Sequence, residues 1–367
     1  MTLGGQSTRG MKRGERIPSL DGLRALSIAV VYAGHAKPGA IPGGFGVTVF
    51  FVVSGYLITT LLRLEWDRTG TVSIRDFYIR RAFRILPLFY AVLTLFLFAT
   101  IFLGLGIGVP DFGATLSQYT HIANYWSILR PDDLVMPGTG VYWSLAVEEH
   151  FYLVFPAVFV LLTRLAVPYR RQAVWLGALC GAILAWRCFL VLGLDVGVDR
   201  TYHATDTRID SILIGCALAL GLNPMLDRRV DSRIVNRSVV VALVGLGLSI
   251  VYRQAEYRET LRYSIQSLAV VPVLYYSTTS PDSFAGRVLN SKIMVWFGQL
   301  SYAFYLIHFV ILVEFSKHLG TIPAAIAAFV VSTLGSVLLK HTVEMPGLRL
   351  RSKFIGRRGR STQPANV

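Results

Sequence analysis

Apolar runs of about 20 residues recur along nearly the whole chain, and a helix of that length just crosses the hydrocarbon core of a bilayer. Hydrophobic residues make up 53% of the 367 residues and charged residues only 16%, which leaves no room for a large soluble domain. The pattern predicts an all-α, polytopic membrane protein with about ten transmembrane helices. We place these helices at residues 18–37, 45–62, 85–108, 144–163, 172–192, 208–224, 237–253, 262–279, 293–315 and 322–341.

The basic residues are divided unevenly among the segments that join these helices. Most of the 36 lysines and arginines fall in the N-terminal leader, in every second connection and in the C-terminal tail. The positive-inside rule then places both termini in the cytoplasm of a multi-pass protein of the cell membrane. We divide the chain into a basic cytoplasmic leader at 1–16, a transmembrane domain at 17–345 and a basic cytoplasmic tail at 346–367. The lipid bilayer is the expected partner of the basic residues, and nucleic acid is not, because these residues lie between apolar runs.

The first predicted helix carries two ionisable side chains, Arg24 and His35. Ionisable residues inside a membrane are costly, which favours a functional interpretation. At about 100° and 1.5 Å per residue, the two lie on nearly the same helix face and roughly 16 Å apart along the axis. His35 is a candidate general base, because imidazole takes up a hydroxyl proton near neutral pH. The simpler alternative is that Arg24 extends to the interface and His35 packs in the core.

An acidic pair, Glu148 and Glu149, lies near the start of the fourth predicted helix. The topology puts this position, like His35, toward the outer side of the membrane, so an imidazole–carboxylate contact is geometrically allowed. Adjacent glutamates cannot both face inward. We favour Glu148, while Glu149 and His150 stay open; acids that only stabilise a helix N-terminus are the alternative.

Two arginines, Arg81 and Arg84, lie at i, i+3 spacing in the predicted loop before the third helix. A guanidinium cluster next to Arg24 suits a phosphorylated ligand such as the nucleotide end of coenzyme A. The alternative is that these charges only set the topology.

Further polar residues lie in two other segments. The outer segment TYHATDTRIDSILIG at 201–215 holds a group that either binds a polyol or forms a solvated loop with an internal ion pair; its members are His203, Asp206, Arg208 and Asp210. His308 lies deep in the ninth predicted helix, where an intramembrane histidine faces a cavity or a partner. The three cysteines fall in apolar runs, so we expect neither a disulfide framework nor a metal site.

Taken together, these segments resemble the integral-membrane acyltransferase family 3, the O-acyltransferases that modify surface glycans, peptidoglycan, nodulation factors and macrolides. The resemblance covers essentially the whole chain. The matching pieces are Arg24 with ten residues before His35, FFVVSGYLIT at 50–59, FYIRRAFRILP at 77–87, YWSLAVEEHFYLVFP at 142–156, TRIDSILIG at 207–215, LSYAFYLIH at 300–308 and the late Glu344-Met345-Pro346.

The resemblance implies a membrane O-acyltransferase that moves an acyl group, acetyl by default, from cytoplasmic acyl-CoA to a hydroxyl of a glycan, another polyol or a macrolide. Acyl-CoA is then a co-substrate, and no bound cofactor is expected. His35 and Glu148 look like catalytic residues, with His35 as base or transient acyl carrier. The donor-binding candidates are Arg24, Arg81 and Arg84, and the acceptor-site candidates are Arg208, Asp210, His308, Glu149 and Tyr142.

Two positions depart from the family's usual pattern. His150 replaces a common glutamine and leaves a spare titratable group beside the site, and Met345 replaces a lysine. The chain ends soon after the tenth helix, so the resemblance also implies that it lacks the hydrolase-like extracytoplasmic domain of some members. The competing interpretation is a transporter in which the same ionisable residues form a proton or anion path. The lack of visible repeated halves disfavours it.

Overall fold

The computed structural model describes residues 17–105 and 108–354, and these residues form helices and connections without a β-strand. The long helices are α1 (Pro18–Ala36), α2 (Gly43–Thr69), α3 (Ile74–Leu103), α6 (Trp143–Arg164), α7 (Tyr169–Leu194), α10 (Asp210–Gly221), α11 (Ser232–Val251), α13 (Leu261–Thr279), α15 (Lys292–Ser316) and α16 (Thr321–Leu339). The short helices are α4 (Phe112–Tyr119), α5 (Ala123–Leu129), α8 (Val198–His203), α9 (Thr205–Arg208), α12 (Ala255–Glu259), α14 (Phe284–Leu289) and α17 (Met345–Phe354).

The described residues are mostly helical and several of these helices are apolar, which confirms the all-α, polytopic fold class. Each predicted transmembrane helix overlaps one of the first ten helices given above, but the number of about ten transmembrane helices stays a prediction. Among the described residues, seven helices are long and apolar enough to cross a membrane. They are α2, α3, α6 with the preceding 3₁₀ turn, α7, α11, α15, and α16 with its extension through Arg351. The chain is therefore a multi-pass membrane protein. The cytoplasmic position of both termini stays a prediction, and residues 1–16 and 355–367 lie outside the described residues.

The prediction for the sixth helix, residues 208–224, is wrong because the helix in the structure is shorter. Helix α10 has 12 residues, about 18 Å at 1.5 Å per residue, which is shorter than a bilayer core of about 30 Å. The helical path is interrupted before it, because Ala204 is extended at φ −71° and ψ 142°. A broken path is tolerated at membrane depth only where protein covers it, and α10 packs against α2 and α7.

Helices α1, α2 and α15 form the centre of the bundle, with α1 in contact with the other two. The apolar window of α2 is 78% buried, whereas those of α7 and α11 are only 17% buried. Burial of α2 on nearly all sides fits a central helix. The outer helices expose leucine, valine and aromatic side chains, which in a bilayer face lipid.

Glycines let α2 approach α10 closely. A Cβ atom added at Gly55 would collide with the carbonyl oxygen of Ile212, and one added at Gly215 would collide with the carbonyl oxygen of Val52. Small residues at such crossings allow backbone-to-backbone packing in membranes. Gly55 and Gly215 are therefore the close-approach positions of this crossing.

The predicted loop from Arg63 to Arg84 is mostly helical. Helix α2 continues to Thr69, and α3 begins at Ile74 after Ser73, whose hydroxyl accepts a hydrogen bond from the Asp76 amide at 3.2 Å. This serine cap starts the helix eleven residues before the predicted start. Arg81 and Arg84 consequently lie about 10–15 Å along α3 from its N-terminal end, within the bundle.

Candidate functional site

His35 lies near the C-terminal end of α1 and pairs with His308 of α15. The Nδ1 atom of His35 is 3.0 Å from Nε2 of His308, and the two rings are nearly parallel. The Phe309 ring packs on His35 with centroids 4.4 Å apart. His308 is fully buried, so this histidine has a partner on another helix, as expected for an intramembrane imidazole.

Glu148 does not contact His35, which corrects the expected imidazole–carboxylate pair. The Ser54 hydroxyl donates to Glu148 Oε1 at 2.7 Å, and Glu148 Oε2 is 3.7 Å from Nη2 of Arg81. The Arg81 guanidinium lies over the Tyr152 ring, 3.5 Å from its centroid. Glu148 thus belongs with the arginines predicted for the other side of the membrane.

The depth of Glu148 follows from the packing of α1 on α2. Gly43 starts α2 and abuts Gly34, next to His35. Ser54 lies eleven residues farther along α2, or about 16 Å below that contact, which is the same offset that separates Arg24 from His35. Glu148, bonded to Ser54, therefore lies near the level of Arg24. The early start of α3 brings Arg81 to the same level, where it meets Glu148.

Two of the donor-binding candidates, Arg24 and Arg81, lie within electrostatic range of the third, Arg84. The charges that act on Arg84 include those of Arg24, Arg81 and Glu344. Arg24 also lies 4.0 Å from Asp21, one turn earlier on α1. The Arg84 side chain is exposed, so the cluster presents a free guanidinium surface. We call Arg24, Arg81, Arg84, Glu148 and Glu344 the arginine cluster.

Asp210 is held in a buried ion pair with Arg187, a residue for which sequence reasoning found no role. Both side chains are fully buried, and Nη2 of Arg187 lies 3.1 Å from Asp210 Oδ2. Arg187 also donates to the Thr260 carbonyl at 2.8 Å and to the Ser264 hydroxyl at 2.6 Å. Asp210 is therefore engaged by Arg187 within the fold, and its assignment to the acceptor site stays a prediction. An arginine within an otherwise apolar span was the signal available in the sequence.

Arg208 points away from Asp210, because two residues along a helix correspond to a turn of about 200°. Its guanidinium lies 3.8 Å from the Tyr263 centroid and within 6 Å of the Tyr202, Trp143 and Phe51 rings. Nη2 donates to the Thr48 hydroxyl at 3.3 Å. Nε and Nη1 are buried and have no hydrogen-bond partner in the described part of the chain. We call Arg208 with these four rings the aromatic cage.

The outer group of four polar residues is thus divided rather than joined. Asp206 pairs with Arg200 and accepts a hydrogen bond from Trp186 Nε1 at 2.8 Å. Burial opposes ionisation, but the hydrogen bonds from Arg200 and Trp186 hold the pKa of Asp206 below its usual value. His203 lies 3.6 Å from Asp199 and packs on Trp143. Only His203 and Arg208 share a neighbour in Trp143.

Tyr142 and Glu149 complete the acceptor-site candidates. The Tyr142 hydroxyl donates to the Leu306 carbonyl at 2.7 Å, and its side chain is buried. Glu149 carries no hydrogen bond to any residue in 17–105 or 108–354 and lies within electrostatic range of Tyr302 and Arg81. Tyr142 packs between α15 and the start of α6, whereas the Glu149 carboxylate has no hydrogen-bond partner among the described residues.

Comparisons with known proteins agree on one family. The sequence model of a family described as an acyltransferase domain matches residues 17–341. A peptidoglycan O-acetyltransferase of Listeria monocytogenes is 32% identical over 81% of this chain and 49% of its own length. A Bacillus subtilis protein, named as a candidate for the same activity, is 31% identical over 81% of the chain and 49% of its own length. The chain thus spans about half the length of the curated relatives it matches, and no solved structure matches it significantly.

Proposed function

The chain belongs to the membrane acyltransferase family 3, and from that premise we propose that it moves an acetyl group from acetyl-CoA on the cytoplasmic side to a hydroxyl of a glycan on the outer side. Relatives named as O-acetyltransferases support acetyl transfer, and one named for peptidoglycan supports a cell-wall glycan as acceptor. A transporter is not favoured, because the family is one of group transfer.

The observation that carries the proposal is the placement of two different sites along α1. The arginine cluster lies at one level of this helix, and His35 lies about 16 Å farther along it. Helix α1 is continuous from Pro18 to Ala36, so nothing between the two sites bends. A long, thin donor that is held by its charged end can then place its thioester at the distant imidazole.

The donor side of the proposal rests on Arg84 and Arg24. Guanidinium groups bind phosphate through paired, charge-assisted hydrogen bonds. Arg81 is already engaged by Glu148 and Tyr152, so it shapes the cluster while Arg84, which is exposed, takes the nucleotide phosphates. In this proposal Glu148 acts through Arg81 and not on the base.

The acceptor side rests on the aromatic cage and Glu149. Aromatic faces and unpaired N–H groups are suited to sugar rings and their oxygens. Two N–H donors of Arg208 have no protein partner in the described residues, and leaving such donors unpaired inside a protein costs free energy. A hydrogen-bond acceptor on the incoming glycan removes that cost.

The reaction is acyl transfer by general base or covalent catalysis at His35. His35 either takes the proton of the acceptor hydroxyl as this oxygen attacks the thioester, or carries the acetyl group briefly before the hydroxyl attacks. In both routes the C–S bond of the thioester breaks and the CoA thiolate leaves to the cytoplasmic side. Coenzyme A need not cross the membrane.

His35→Ala is the first test. Membrane vesicles that contain the protein are given radiolabelled acetyl-CoA on the cytoplasmic face and isolated peptidoglycan glycan on the other face. We expect the variant to lose at least about 100-fold of the transfer rate, the range of general acid–base catalysis.

The matched control is His318→Ala, which removes an exposed histidine just past the end of α15 and should transfer label at the normal rate. Transfer at the normal rate by His35→Ala would contradict the proposal. Label that reaches no acceptor even with the unaltered protein would indicate a carrier or a different acceptor class.

A further inference from the structure

The atoms that contact the buried His308 ring show which of its two nitrogens carries the proton. Its Nδ1 atom lies 2.8 Å from the Tyr305 carbonyl oxygen and 3.1 Å from the Phe304 carbonyl oxygen. A carbonyl oxygen can only accept, so Nδ1 carries a proton. In a neutral imidazole the other nitrogen then carries a lone pair. Nε2 of His308 is therefore a hydrogen-bond acceptor.

The same reasoning fixes the proton on His35. Its Nδ1 atom faces Nε2 of His308 at 3.0 Å, and because that nitrogen accepts, Nδ1 of His35 must donate. Nε2 of His35 is left with its lone pair and has no hydrogen-bond partner in residues 17–105 or 108–354. The His35 side chain is partly exposed, so this nitrogen can meet a substrate.

We propose that His308 is a positioning residue that fixes the tautomer of His35 and makes Nε2 of His35 the atom that reacts. This inference rests on the proposed function, since it assigns the machinery behind the proposed base. The chain of groups is a backbone carbonyl of α15, the His308 ring, the His35 ring and then the acceptor. It performs the orienting task that a carboxylate performs in a serine–histidine–aspartate triad.

The packing leaves His308 without a substitute. Its side chain is fully buried, and Tyr32 and Phe304 lie against its ring at centroid distances of 6.1 and 5.7 Å. Water does not have access to replace the lost acceptor. If His308 is removed, nothing holds the His35 proton on Nδ1, and the proton can occupy Nε2, where it blocks attack.

The chemical step balances around this nitrogen. Nε2 of His35 takes the proton of the acceptor hydroxyl while the hydroxyl oxygen forms a bond to the thioester carbonyl carbon. The C–S bond then breaks, and the departing thiolate takes the proton from Nε2. While His35 is positively charged, its Nδ1–H stays bonded to His308, which is in turn polarised by two backbone carbonyls. A transient acetyl group on His35 would use the same lone pair.

Two substitutions at one position test the inference in purified protein reconstituted into liposomes, with radiolabelled acetyl-CoA and isolated peptidoglycan glycan. His308→Leu keeps the apolar packing but removes the acceptor. We expect kcat to fall at least about 100-fold with the KM for acetyl-CoA unchanged. His308→Gln offers an amide oxygen near the former position of Nε2 and should recover at least about tenfold of that loss.

The outcomes separate this inference from the proposed function. His318→Leu is the matched control for loss of a histidine, and a thermal unfolding scan of each variant gives the folded fraction. If His308→Leu has a normal kcat while His35→Ala has lost activity, the positioning role of His308 is overturned and His35 remains the base. Equal loss in folded His308→Leu and His308→Gln also overturns it, because a merely structural role gives no recovery. Transfer at the normal rate by His35→Ala would overturn both the positioning role of His308 and the proposed function.

Discussion

In the described part of the chain, two arginines are completely buried, and they differ in the groups that surround their charge. Arg187 has a carboxylate, a hydroxyl and backbone carbonyls as partners. Arg208 has one hydroxyl and the faces of aromatic rings. A buried charge is costly unless it is paired. The first arginine is therefore part of the fold, and the second retains binding capacity.

Asp210→Asn tests that distinction from the side of the fold. The change leaves Arg187 without its counter-charge, so we expect a loss of about 3–5 kcal/mol in the free energy of unfolding, the range for breaking a buried ion pair. The measurement is thermal unfolding of the detergent-solubilised protein. The kcat per folded molecule should stay near normal, since Asp210 faces Arg187 and not the aromatic cage.

Glu314→Gln is the matched control, because Glu314 pairs with Lys317 at 2.6 Å with both side chains partly exposed. Loss of such a pair costs about 0.2–1 kcal/mol. A normal stability of Asp210→Asn combined with a raised KM for the glycan would contradict the structural role and restore Asp210 to the acceptor site.

Sequence reasoning singled out the ionisable residues of the candidate site but not their partners. His35 and His308 were each singled out as intramembrane histidines, yet they are 273 positions apart, and only the packing of α1 on α15 brings them together. Glu148 was expected near His35, but it contacts Ser54 of α2 and Arg81 of α3 instead. A pairing between distant segments depends on helix contacts, which local pattern does not encode.

At the scale of elements, the crossing of α2 and α10 depends on the absence of two side chains. Gly215→Ala would place a methyl group against the Val52 carbonyl oxygen, and backbone cannot move aside as a flexible side chain can. We expect overpacking to cost about 1–3 kcal/mol in the free energy of unfolding. Thermal unfolding of the variant, measured by fluorescence-detected size-exclusion chromatography after heating, gives the change in stability.

Gly177→Ala is the control for this change, since a Cβ atom at Gly177 of α7 would meet nothing within 4 Å. Alanine favours helix over glycine by up to about 1 kcal/mol, so the control should be neutral or slightly stabilised. Equal effects at the two positions would argue that helix propensity, and not close packing, governs the crossing.

In the proposed function, the whole molecule separates the arginine cluster from the level of His35, and the separation has a kinetic consequence. Arg84→Gln removes the proposed phosphate contact without touching His35. We expect the KM for acetyl-CoA to rise about 10- to 100-fold, from the loss of a charge-assisted hydrogen bond of about 1.5–3 kcal/mol, with kcat within about twofold. Steady-state transfer at several donor concentrations measures both quantities.

Two comparisons sharpen this experiment. Acetyl-pantetheine lacks the nucleotide, so its slower transfer should be the same with and without Arg84. Lys353→Gln removes an exposed basic residue of α17 and should leave the KM for acetyl-CoA unchanged. A normal KM in Arg84→Gln would place the nucleotide elsewhere.

The long helices could be predicted from the sequence because bilayer thickness dictates the length of an apolar run. The short helices α4, α5, α8, α9, α12 and α14 could not, because they lie in polar connections where no such length is imposed. The extended residue Ala204 lies in the polar outer segment before the sixth predicted helix, where no apolar run fixes the start of the helix.

Helix α1 carries Arg24 and His35 on a single uninterrupted element, so the distance between them along the helix is fixed. In the proposed function, the spacing between the anchor of the donor and the reacting nitrogen is then set by a count of residues. A donor is accepted when the arm between its phosphates and its thioester matches that spacing, whatever the size of the acyl group beyond it. Selectivity for coenzyme A and tolerance of different acyl groups would then come from one rigid helix.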